Sequence, residues 1–234
     1  MERLDKIISV SMGVTRSRAK QLIRSAQVKV GTEIVTDPSV KAAPEQVSCS
    51  ERQVVYKKHI YIMMNKPAGV VSASEDARER TVTDLVPEKL YRKGLFPAGR
   101  LDKDTLGFVL LTDDGDFAHR ILSPKNHILK TYEAVLDKPV GEREIQRFKD
   151  GVILGDGSRC LSALLEVAPD NARRVRIKIC EGKYHQIKRM FAAQGVYVEE
   201  LCRTAMGALA LDGALAPGEC RELSEDELSL ILKK

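Results

Sequence analysis

The chain has 234 residues, of which 43% are hydrophobic and 30% charged, a composition that is typical of a globular protein with a sizeable core. No apolar run approaches the ~20 residues of a membrane-spanning helix, and the first residues lack the apolar segment of a signal peptide, so we expect a cytoplasmic protein without a membrane partner. The five cysteines form no Cys-x-x-Cys pair and the four histidines have no zinc-ligand spacing. We therefore expect neither a disulfide framework nor a metal site.

The positive charge is concentrated near the amino terminus. The whole chain has a formal net charge of +5, and residues 1–57 contain ten basic and six acidic side chains. A quarter of the chain thus holds nearly all of the excess. Such a concentration of Lys and Arg favours a polyanionic partner.

The first part of the chain predicts two helices followed by a hairpin. Leucine and isoleucine at helical spacing predict a helix over residues 4–12. Thr15 is a suitable N-cap for a second helix over residues 16–26. β-branched residues on both sides of Gly31 predict a tight hairpin over residues 28–35.

Basic side chains recur along the second predicted helix. Arg16, Lys20 and Arg24 are spaced four residues apart, beside the apolar face. A basic stripe is usually only a solvated face, but the local excess of charge favours phosphate contacts. Aromatic residues make up 5% of the chain and Trp is absent, which argues against the stacking of bases on exposed rings.

The amino-terminal motifs resemble the S4 RNA-binding domain over roughly residues 1–48. They are residues 3–6 (Arg-Leu-Asp-Lys), 15–19 (Thr-Arg-Ser-Arg-Ala) and 28–31 (Val-Lys-Val-Gly). The resemblance implies that the basic helix faces RNA, and its candidate RNA-binding residues are Arg3, Lys6, Arg16, Arg18, Lys20 and Arg24. A polar, unpatterned stretch predicts a linker over residues 49–57, before a second domain over residues 58–234.

The second domain mixes short strands with helices. Strands are predicted at residues 60–64, 108–112, 130–136, 161–167, 174–180 and 196–198, and helices at 117–122, 141–149, 184–194 and after Ser224. This mixture predicts an α+β fold, with helices flanking a mixed, mainly antiparallel sheet. No Gly-rich nucleotide loop is present, so we expect no nucleotide cofactor.

Asp102 precedes the buried-looking strand at 108–112, within residues 99–107 (Gly-Arg-Leu-Asp-Lys-Asp-Thr-Leu-Gly). From the residues alone, it is either a reactive carboxylate or a turn aspartate that accepts backbone N–H groups. Asp104 lies two positions on, which leaves a metal site or a glycosidase-type carboxylate pair open. Tyr132 is by default a packing residue.

Four basic side chains cluster on the helix predicted at 184–194 and just before it. On their own, Lys183, His185, Lys188 and Arg189 form either a solvated face or a phosphate clamp. His185 also has the chemistry of a general base, but no Ser or Cys nucleophile motif accompanies it. An RNA contact or a structural hydrogen bond is therefore the favoured role for His185.

Taken together, these motifs resemble the RsuA-type pseudouridine synthases. The motifs are residues 65–69 (Asn-Lys-Pro-Ala-Gly), 99–107, 110–115, 130–132 (Lys-Thr-Tyr) and 181–190 (Glu-Gly-Lys-Tyr-His-Gln-Ile-Lys-Arg-Met). The match is collinear and, with the S4-like part, spans essentially the whole chain. It implies a cofactor-free isomerisation of uridine to pseudouridine in ribosomal RNA.

The resemblance also assigns roles to residues. Asp102 matches the essential aspartate, Tyr132 the tyrosine that packs against the target base and is a candidate for deprotonation at C5, and Lys188 the basic residue that pairs with the aspartate. Relatives often carry arginine at this last position. Lys66 and Arg100 then hold phosphates or the flipped nucleotide, Lys183, His185 and Arg189 contact RNA, and Asp104 supports the loop.

Residues 184–190 and the short carboxyl end look more like the small-subunit enzyme than its large-subunit relatives, which usually carry Asn-Arg-Gln in place of Tyr-His-Gln. We therefore expect 16S ribosomal RNA within a small-subunit assembly intermediate as the partner of a monomer. The alternatives are a 23S ribosomal RNA pseudouridine synthase, a non-catalytic RNA-binding assembly factor, and an RNA glycosylase or nuclease.

Overall fold

The computed structural model describes residues 1–233, and its chain divides between His59 and Ile60 into two units. The strands and helices of the first unit are β1 (Glu2–Arg3), α1 (Leu4–Met12), α2 (Arg16–Arg24), β2 (Val28–Val30), β3 (Glu33–Ile34), β4 (Lys41–Ala42), β5 (Val47–Cys49) and β6 (Arg52–Gln53). Strands β3, β2, β5 and β6 form an antiparallel sheet in that order, and β1 pairs with β4.

The two helices of this unit bury the apolar faces that the sequence predicts. Ile7 on α1 and Ile23 on α2 are fully buried in a common core. The Thr15 hydroxyl accepts a hydrogen bond from the Arg18 N–H at 3.2 Å, which confirms the predicted N-cap. Helix α2 ends at Arg24, before residue 26, where the backbone turns left-handed with φ of 59°.

The stretch predicted as a linker is partly sheet. Strand β6 pairs with β5 through a turn at Ser50 and Glu51, whose φ angles are 49° and 68°. Two consecutive left-handed residues in a hairpin are normally Asn or Gly, so the sequence contains no recognisable turn signal here. The sheet of the first unit therefore extends beyond the predicted boundary at residue 48.

The second unit, Ile60–Lys234, contains one sheet, four α-helices and two short 3-10 helices (Thr83–Leu85 and Pro124–Asn126) within its described residues. The strands are β7 (Tyr61–Lys66), β8 (Phe96–Pro97), β9 (Leu106–Thr112), β10 (Lys130–Leu136), β11 (Leu164–Ala168), β12 (Asn171–Ile179), β13 (Val198–Met206), β14 (Leu209–Ala210) and β15 (Cys220–Glu222). The helices are α3 (Gly115–Leu122), α4 (Glu142–Asp150), α5 (Gln186–Ala192) and α6 (Glu225–Ile231).

The strand order is β11-β12-β10-β13-β9-β7-β15, with β8 pairing with β9 and β14 with β13. Neighbouring strands are antiparallel except β13 and β9, which run parallel. The predicted mixed, mainly antiparallel sheet is thus confirmed. The parallel pair brings the start of β9, four residues after Asp102, beside the middle of β13.

The centre of the sheet is buried on both faces. On β9, Val109 packs into the core that contains α4 and α5, whereas Phe108 packs into the core that contains α3 and α6. Strand β9 therefore consists of continuous apolar residues. Strand β12 is covered on one face only, so buried Ile177 follows exposed Arg176.

The Leu-x-Thr-Asp-Asp-Gly motif at residues 110–115 joins β9 to α3. Asp113 Oδ1 accepts the Ile60 N–H at 2.9 Å, and Asp114 Oδ1 accepts the Phe117 N–H at 3.0 Å as the N-cap of α3. The motif is therefore explained by local structure.

Strand β13 is longer than predicted. The sequence predicts a strand only at residues 196–198, because polar residues such as Glu200 and Arg203 interrupt the later pattern. Arg203 is nevertheless only 2% exposed, with its side chain in the interior. Two other elements begin later than predicted. Strand β11 begins at Leu164, three residues late, and helix α5 begins at Gln186, two residues late.

Candidate active site

Lys66, at the end of β7, anchors the loop that carries Asp102. The Lys66 side chain is fully buried. Its Nζ donates hydrogen bonds to three backbone carbonyl oxygens, those of Pro67 at 3.0 Å, Lys103 at 3.1 Å and Thr105 at 2.9 Å. Two of these carbonyls, those of Lys103 and Thr105, follow Asp102 in the sequence, so Lys66 fixes the backbone on the carboxyl side of the aspartate.

The structure leaves Lys66 no free donor for the phosphates or the flipped nucleotide that it is predicted to hold. An ammonium group has three N–H donors, and all three are engaged with backbone carbonyls inside the protein. Burial lowers the pKa of Lys66 to about 8, although the charges of Asp104 and Asp102 act in the opposite direction. Lys66 is a structural residue of the Asp102 loop.

Two further contacts hold the same loop. The Ser72 hydroxyl donates to the Leu101 carbonyl and accepts from the Leu101 N–H, both at 3.0 Å. Lys103 forms an exposed ion pair with Glu79 at 2.8 Å. The Asp102 side chain, which lies between these anchors, remains 25% exposed.

Lys188 and His185 face the Asp102 carboxylate from the region of α5. Lys188 Nζ lies 3.6 Å from Asp102 Oδ2, and His185 Nε2 lies 3.4 Å from Asp102 Oδ1. Lys188 is nearer to Asp104, whose two carboxylate oxygens accept hydrogen bonds from its Nζ at 2.6 and 2.7 Å. The hydrogen bond from Lys188 holds the pKa of Asp104 below its usual range. Lys188 thus contacts both carboxylates instead of Asp102 alone.

Tyr132 on β10 lies opposite Arg203 on β13. Arg203 Nη1 donates a long hydrogen bond of 3.5 Å to the Tyr132 hydroxyl, and its Nε donates to the Phe108 carbonyl at 2.7 Å. Within residues 1–233, the buried Nη2 of Arg203 has no hydrogen-bond partner. Sequence reasoning missed Arg203; the available signal was a cation with apolar residues, Leu201 and Ala205, two positions away on either side.

Two glycines of the Asp102 motif allow this close packing. Gly107 has φ of 96°, and a Cβ atom there would collide with the backbone of Arg203. Gly99 has φ of 99°, and its Cβ would lie 2.9 Å from the Leu122 side chain. Side chains at these positions would therefore displace β9 or the loop from β13 and α3.

A pocket of about 70 Å³ lies between these groups. Its lining includes all three predicted catalytic residues and three of the predicted RNA contacts, namely Asp102, Tyr132, Lys188, Arg100, Lys183 and His185. The pocket is half open to solvent, so a ligand that enters from the surface can reach these side chains.

Lys183 and Arg189 are engaged with a neighbouring turn. Lys183 Nζ donates to the Arg159 carbonyl at 2.6 Å, and Arg189 Nη2 donates to Asp156. Arg189 does not line the pocket. Both side chains keep N–H donors that these bonds do not use, so an RNA contact by either remains compatible with them.

A larger hollow of about 560 Å³ lies on the exposed face of the same sheet. Its lining contains four acidic side chains (Glu133, Glu166, Asp170 and Glu200) and two basic ones (Arg174 and Arg176), and Arg176 pairs with Glu133 at 3.0 Å. An acidic excess of this kind does not favour RNA phosphates. We place the candidate active site in the smaller pocket, because that pocket contains Asp102.

The predicted RNA-binding residues of the first unit are exposed or half-buried. Three of them form ion pairs: Arg3 and Arg16 with the buried Asp5 at 3.1 and 3.3 Å, and Lys6 with Glu2 at 3.2 Å. Burial raises the pKa of Asp5, but Arg3 and Arg16 outweigh burial and hold that pKa below its usual range. The other three predicted residues also lie on α2; they are Arg18, Lys20 and Arg24.

Neither a metal cluster nor a membrane helix occurs in the described chain. Across residues 1–233, no three His, Cys, Asp or Glu side chains are grouped to hold a metal ion. No helix in that range is long and apolar enough to cross a membrane.

The chain matches two protein families. Residues 2–47 match the S4 domain, and residues 60–193 match RNA pseudouridylate synthase. Over 233 residues the chain is 42% identical to ribosomal small subunit pseudouridine synthase A of Escherichia coli strain K12, covering 98% of this chain and 100% of that protein. It is also 42% identical to the uncharacterized RNA pseudouridine synthase YtzG of Bacillus subtilis, covering 98% of both. A crystal structure of pseudouridylate synthase has a TM-score of 0.69 at 39% identity, covering 99% of this chain and all of the other.

An S4 domain joined to this mixed sheet defines an RNA-modifying enzyme. The chain belongs to the RNA pseudouridylate synthase family and is a pseudouridine synthase of the RsuA type. The resemblance found in the sequence motifs and the predicted fold class are both confirmed.

Proposed function

We propose that this chain converts a specific uridine of small-subunit ribosomal RNA to pseudouridine, with Asp102 as the essential carboxylate. The observation that carries the catalytic assignment is the position of Asp102, which shares one pocket with Tyr132 and lies 3.6 Å from Lys188. The RNA assignment is supported by the 42% identity to the Escherichia coli enzyme, whose name specifies the small subunit.

The reaction is an isomerisation with no net loss of atoms. The C1′–N1 bond of uridine breaks, the uracil turns, and a bond forms between C1′ and C5. The hydrogen on C5 leaves as a proton and N1 gains one, so no oxidant, reductant or group donor enters the balance. The protein must supply a group that acts on the sugar or the base, and a route for the C5 proton.

Asp102 acts in its ionised form. The carboxylate attacks C1′, removes a sugar proton to assist formation of a glycal, or adds to C6 of the uracil; the proposal holds for each route. Exclusion of water by the bound base disfavours the charged form, and the ammonium group of Lys188 offsets that effect. Tyr132 packs against the uracil and takes part in removal of the C5 proton.

The target base must leave its stack to reach Asp102, which costs a few kcal/mol. Contacts between phosphates and the basic stripe of α2 (Arg16, Lys20 and Arg24) provide binding free energy that offsets this cost. We assign RNA positioning to the S4-type unit and chemistry to the second unit. The proposed partner is ribosomal RNA in a small-subunit assembly intermediate, bound by a cytoplasmic monomer.

Mapping of pseudouridines in ribosomal RNA from a strain that lacks this chain tests the proposal. We expect one pseudouridine to be missing from 16S ribosomal RNA, to return with the wild-type chain and to stay missing with Asp102→Asn. A loss confined to 23S ribosomal RNA would overturn the substrate assignment. An unchanged map would favour the non-catalytic assembly factor, and free uracil or cut strands in vitro would favour a glycosylase or nuclease.

A further inference from the structure

Tyr184 presents an exposed aromatic ring beside the candidate active site. The residue is 76% exposed, and its ring stacks on that of His185, with the ring centres 3.8 Å apart and 20° between their planes. His185 Nε2 in turn lies 3.4 Å from Asp102 Oδ1. Two successive contacts therefore connect the Tyr184 ring to the carboxylate that we propose to be catalytic.

The backbone that carries the two rings is fixed in an uncommon conformation. His185 has φ of 48°, a left-handed value that non-glycine residues rarely adopt and that surrounding contacts must maintain. Three hydrogen bonds do so: Lys183 N–H to Gln186 Oε1 at 2.8 Å, Gln186 Nε2 to Glu181 Oε1 at 2.8 Å, and Arg189 Nη1 to the Tyr184 carbonyl at 3.3 Å. A ring on a rigid segment loses little freedom when a ligand binds.

Basic side chains lie near the ring in the sequence. Lys183, Lys188 and Arg189 are within five residues of Tyr184 and are partly exposed. Lys188 and Arg189 pair with Asp104 and Asp156, whereas the Lys183 ammonium donates to the Arg159 carbonyl and keeps N–H donors for a phosphate. His185 covers one face of the Tyr184 ring, so the other face is the one that a ligand can reach. An exposed ring beside basic side chains is the combination by which proteins bind single-stranded nucleic acids.

We propose that Tyr184 and His185 form a stacking platform for an unpaired base that neighbours the target uridine. The proposal rests on the proposed function, because that function brings RNA to Asp102. It implies that the target lies in a single-stranded loop, where a neighbouring base is free to stack. The low aromatic content argues against base stacking, but composition does not reveal that one tyrosine is exposed beside the pocket.

A fluorescence titration tests the platform without requiring turnover. The probe is a short single-stranded oligouridine that contains one 2-aminopurine, titrated with the full-length chain. We expect Tyr184→Ala to weaken binding about 5- to 100-fold and to reduce the quenching, whereas Tyr184→Phe retains both. The matched control is Tyr197→Ala. Tyr197 directly precedes the first residue of β13, and its ring is 61% exposed. Equal affinity and quenching for wild type and Tyr184→Ala would overturn the platform.

A kinetic test distinguishes this proposal from the proposed function. The substrate is small-subunit ribosomal RNA labelled with tritium at C5 of uridine. We expect Tyr184→Ala to lower kcat/KM by the same factor as it weakens oligouridine binding, mainly through a higher KM. An abasic nucleotide beside the mapped target should lower the kcat/KM of the wild type by a similar factor. It should not lower the kcat/KM of Tyr184→Ala any further, because that variant has already lost the stacking contact. If the wild type is active and Tyr184→Ala has the same kcat/KM, the platform is overturned and the proposed function is not. No release by wild type would overturn the proposed function, and the titration would still decide on the platform.

Discussion

Lys188 lies 2.6 Å from Asp104 Oδ1 but 3.6 Å from Asp102 Oδ2, so its shorter contact is with the carboxylate that we do not assign to catalysis. Lysine carries a compact charge on a flexible stem, which allows the ammonium group to shift between the two oxygens. The sequence assigns Asp104 to support of the loop. Its contact with Lys188 predicts a second role, in which Asp104 positions the Lys188 ammonium group.

Asp104→Asn tests this role. We expect the variant to alter the free energy of unfolding by less than about 1 kcal/mol, because the Asp104 side chain is 72% exposed. We expect kcat for tritium release to change about 3- to 10-fold at constant KM, since roughly 1 kcal/mol of electrostatic interaction is redirected to Asp102. Urea unfolding and steady-state kinetics measure the two effects. Lys103→Gln, which breaks the Lys103–Glu79 pair on the same loop, is the control; a large stability loss in Asp104→Asn at constant kcat would restore the supporting role.

The stability of the second unit should depend on pH through Lys66. Between pH about 8 and 10.5 the buried amine is neutral while that of the unfolded chain is still protonated. The unfolded state then binds more protons, so the contribution of Lys66 to the free energy of unfolding rises with pH in this window and is constant below it.

Urea unfolding of wild type and Lys66→Met across this pH range provides the measurement. We expect the wild-type free energy of unfolding to rise relative to that of the variant as the pH increases from 8 to 10.5. Lys130→Met is a parallel variant, because burial, followed by the charge of Arg203, also lowers the pKa of Lys130 to about 8. A difference that stays flat, or that falls with pH, contradicts the account.

Arg203 should position Tyr132 for the reaction. We expect Arg203→Met to lower kcat on the order of 10- to 100-fold, because the Tyr132 hydroxyl loses its partner at 3.5 Å. The substitution also removes the hydrogen bond of 2.7 Å to the buried Phe108 carbonyl, so we expect the free energy of unfolding to fall by about 1–3 kcal/mol. The double variant Arg203→Met/Tyr132→Phe should be no slower than the slower single variant. Additive losses in the double variant would show that Arg203 acts independently of Tyr132.

The sequence predicts β9 and β10 to within two residues, because their apolar patterns depend only on neighbours in the chain. It fails for β13, where the buried Arg203 resembles a surface residue in the sequence. It also fails at the hairpin turn of Ser50 and Glu51, where tertiary packing imposes left-handed backbone on residues that do not favour it.

In the candidate site, too, the sequence predicts local motifs but not contacts between distant segments. Motifs point to Asp102, Tyr132 and Lys188, and these three residues line one pocket. Their partners depend on packing between distant segments, which spacing does not reveal. The burial of Lys66 is of this kind, since it is determined by a loop that begins some 35 residues later in the chain.

RNA binding by α2 should be visible in the salt dependence of affinity. We expect the double variant Lys20→Gln/Arg24→Gln to reduce the slope of log K against log salt concentration by about 1.5, as for two lost phosphate contacts. Filter binding of a ribosomal RNA fragment at several salt concentrations measures the slope. Lys149→Gln, at an exposed position on α4, should leave the slope unchanged. A normal slope for the double variant removes α2 from the RNA-binding surface.

The most direct test of the catalytic assignment is tritium release from C5-labelled small-subunit ribosomal RNA by Asp102→Asn. Asparagine preserves the size of the side chain and removes its charge, so RNA binding should persist. We expect the rate to fall on the order of 10⁴-fold or more, with Asp104→Asn measured alongside as the neighbouring carboxylate. Bound RNA without tritium release is the predicted result. Release by Asp102→Asn at a rate near that of wild type would contradict the assignment of Asp102.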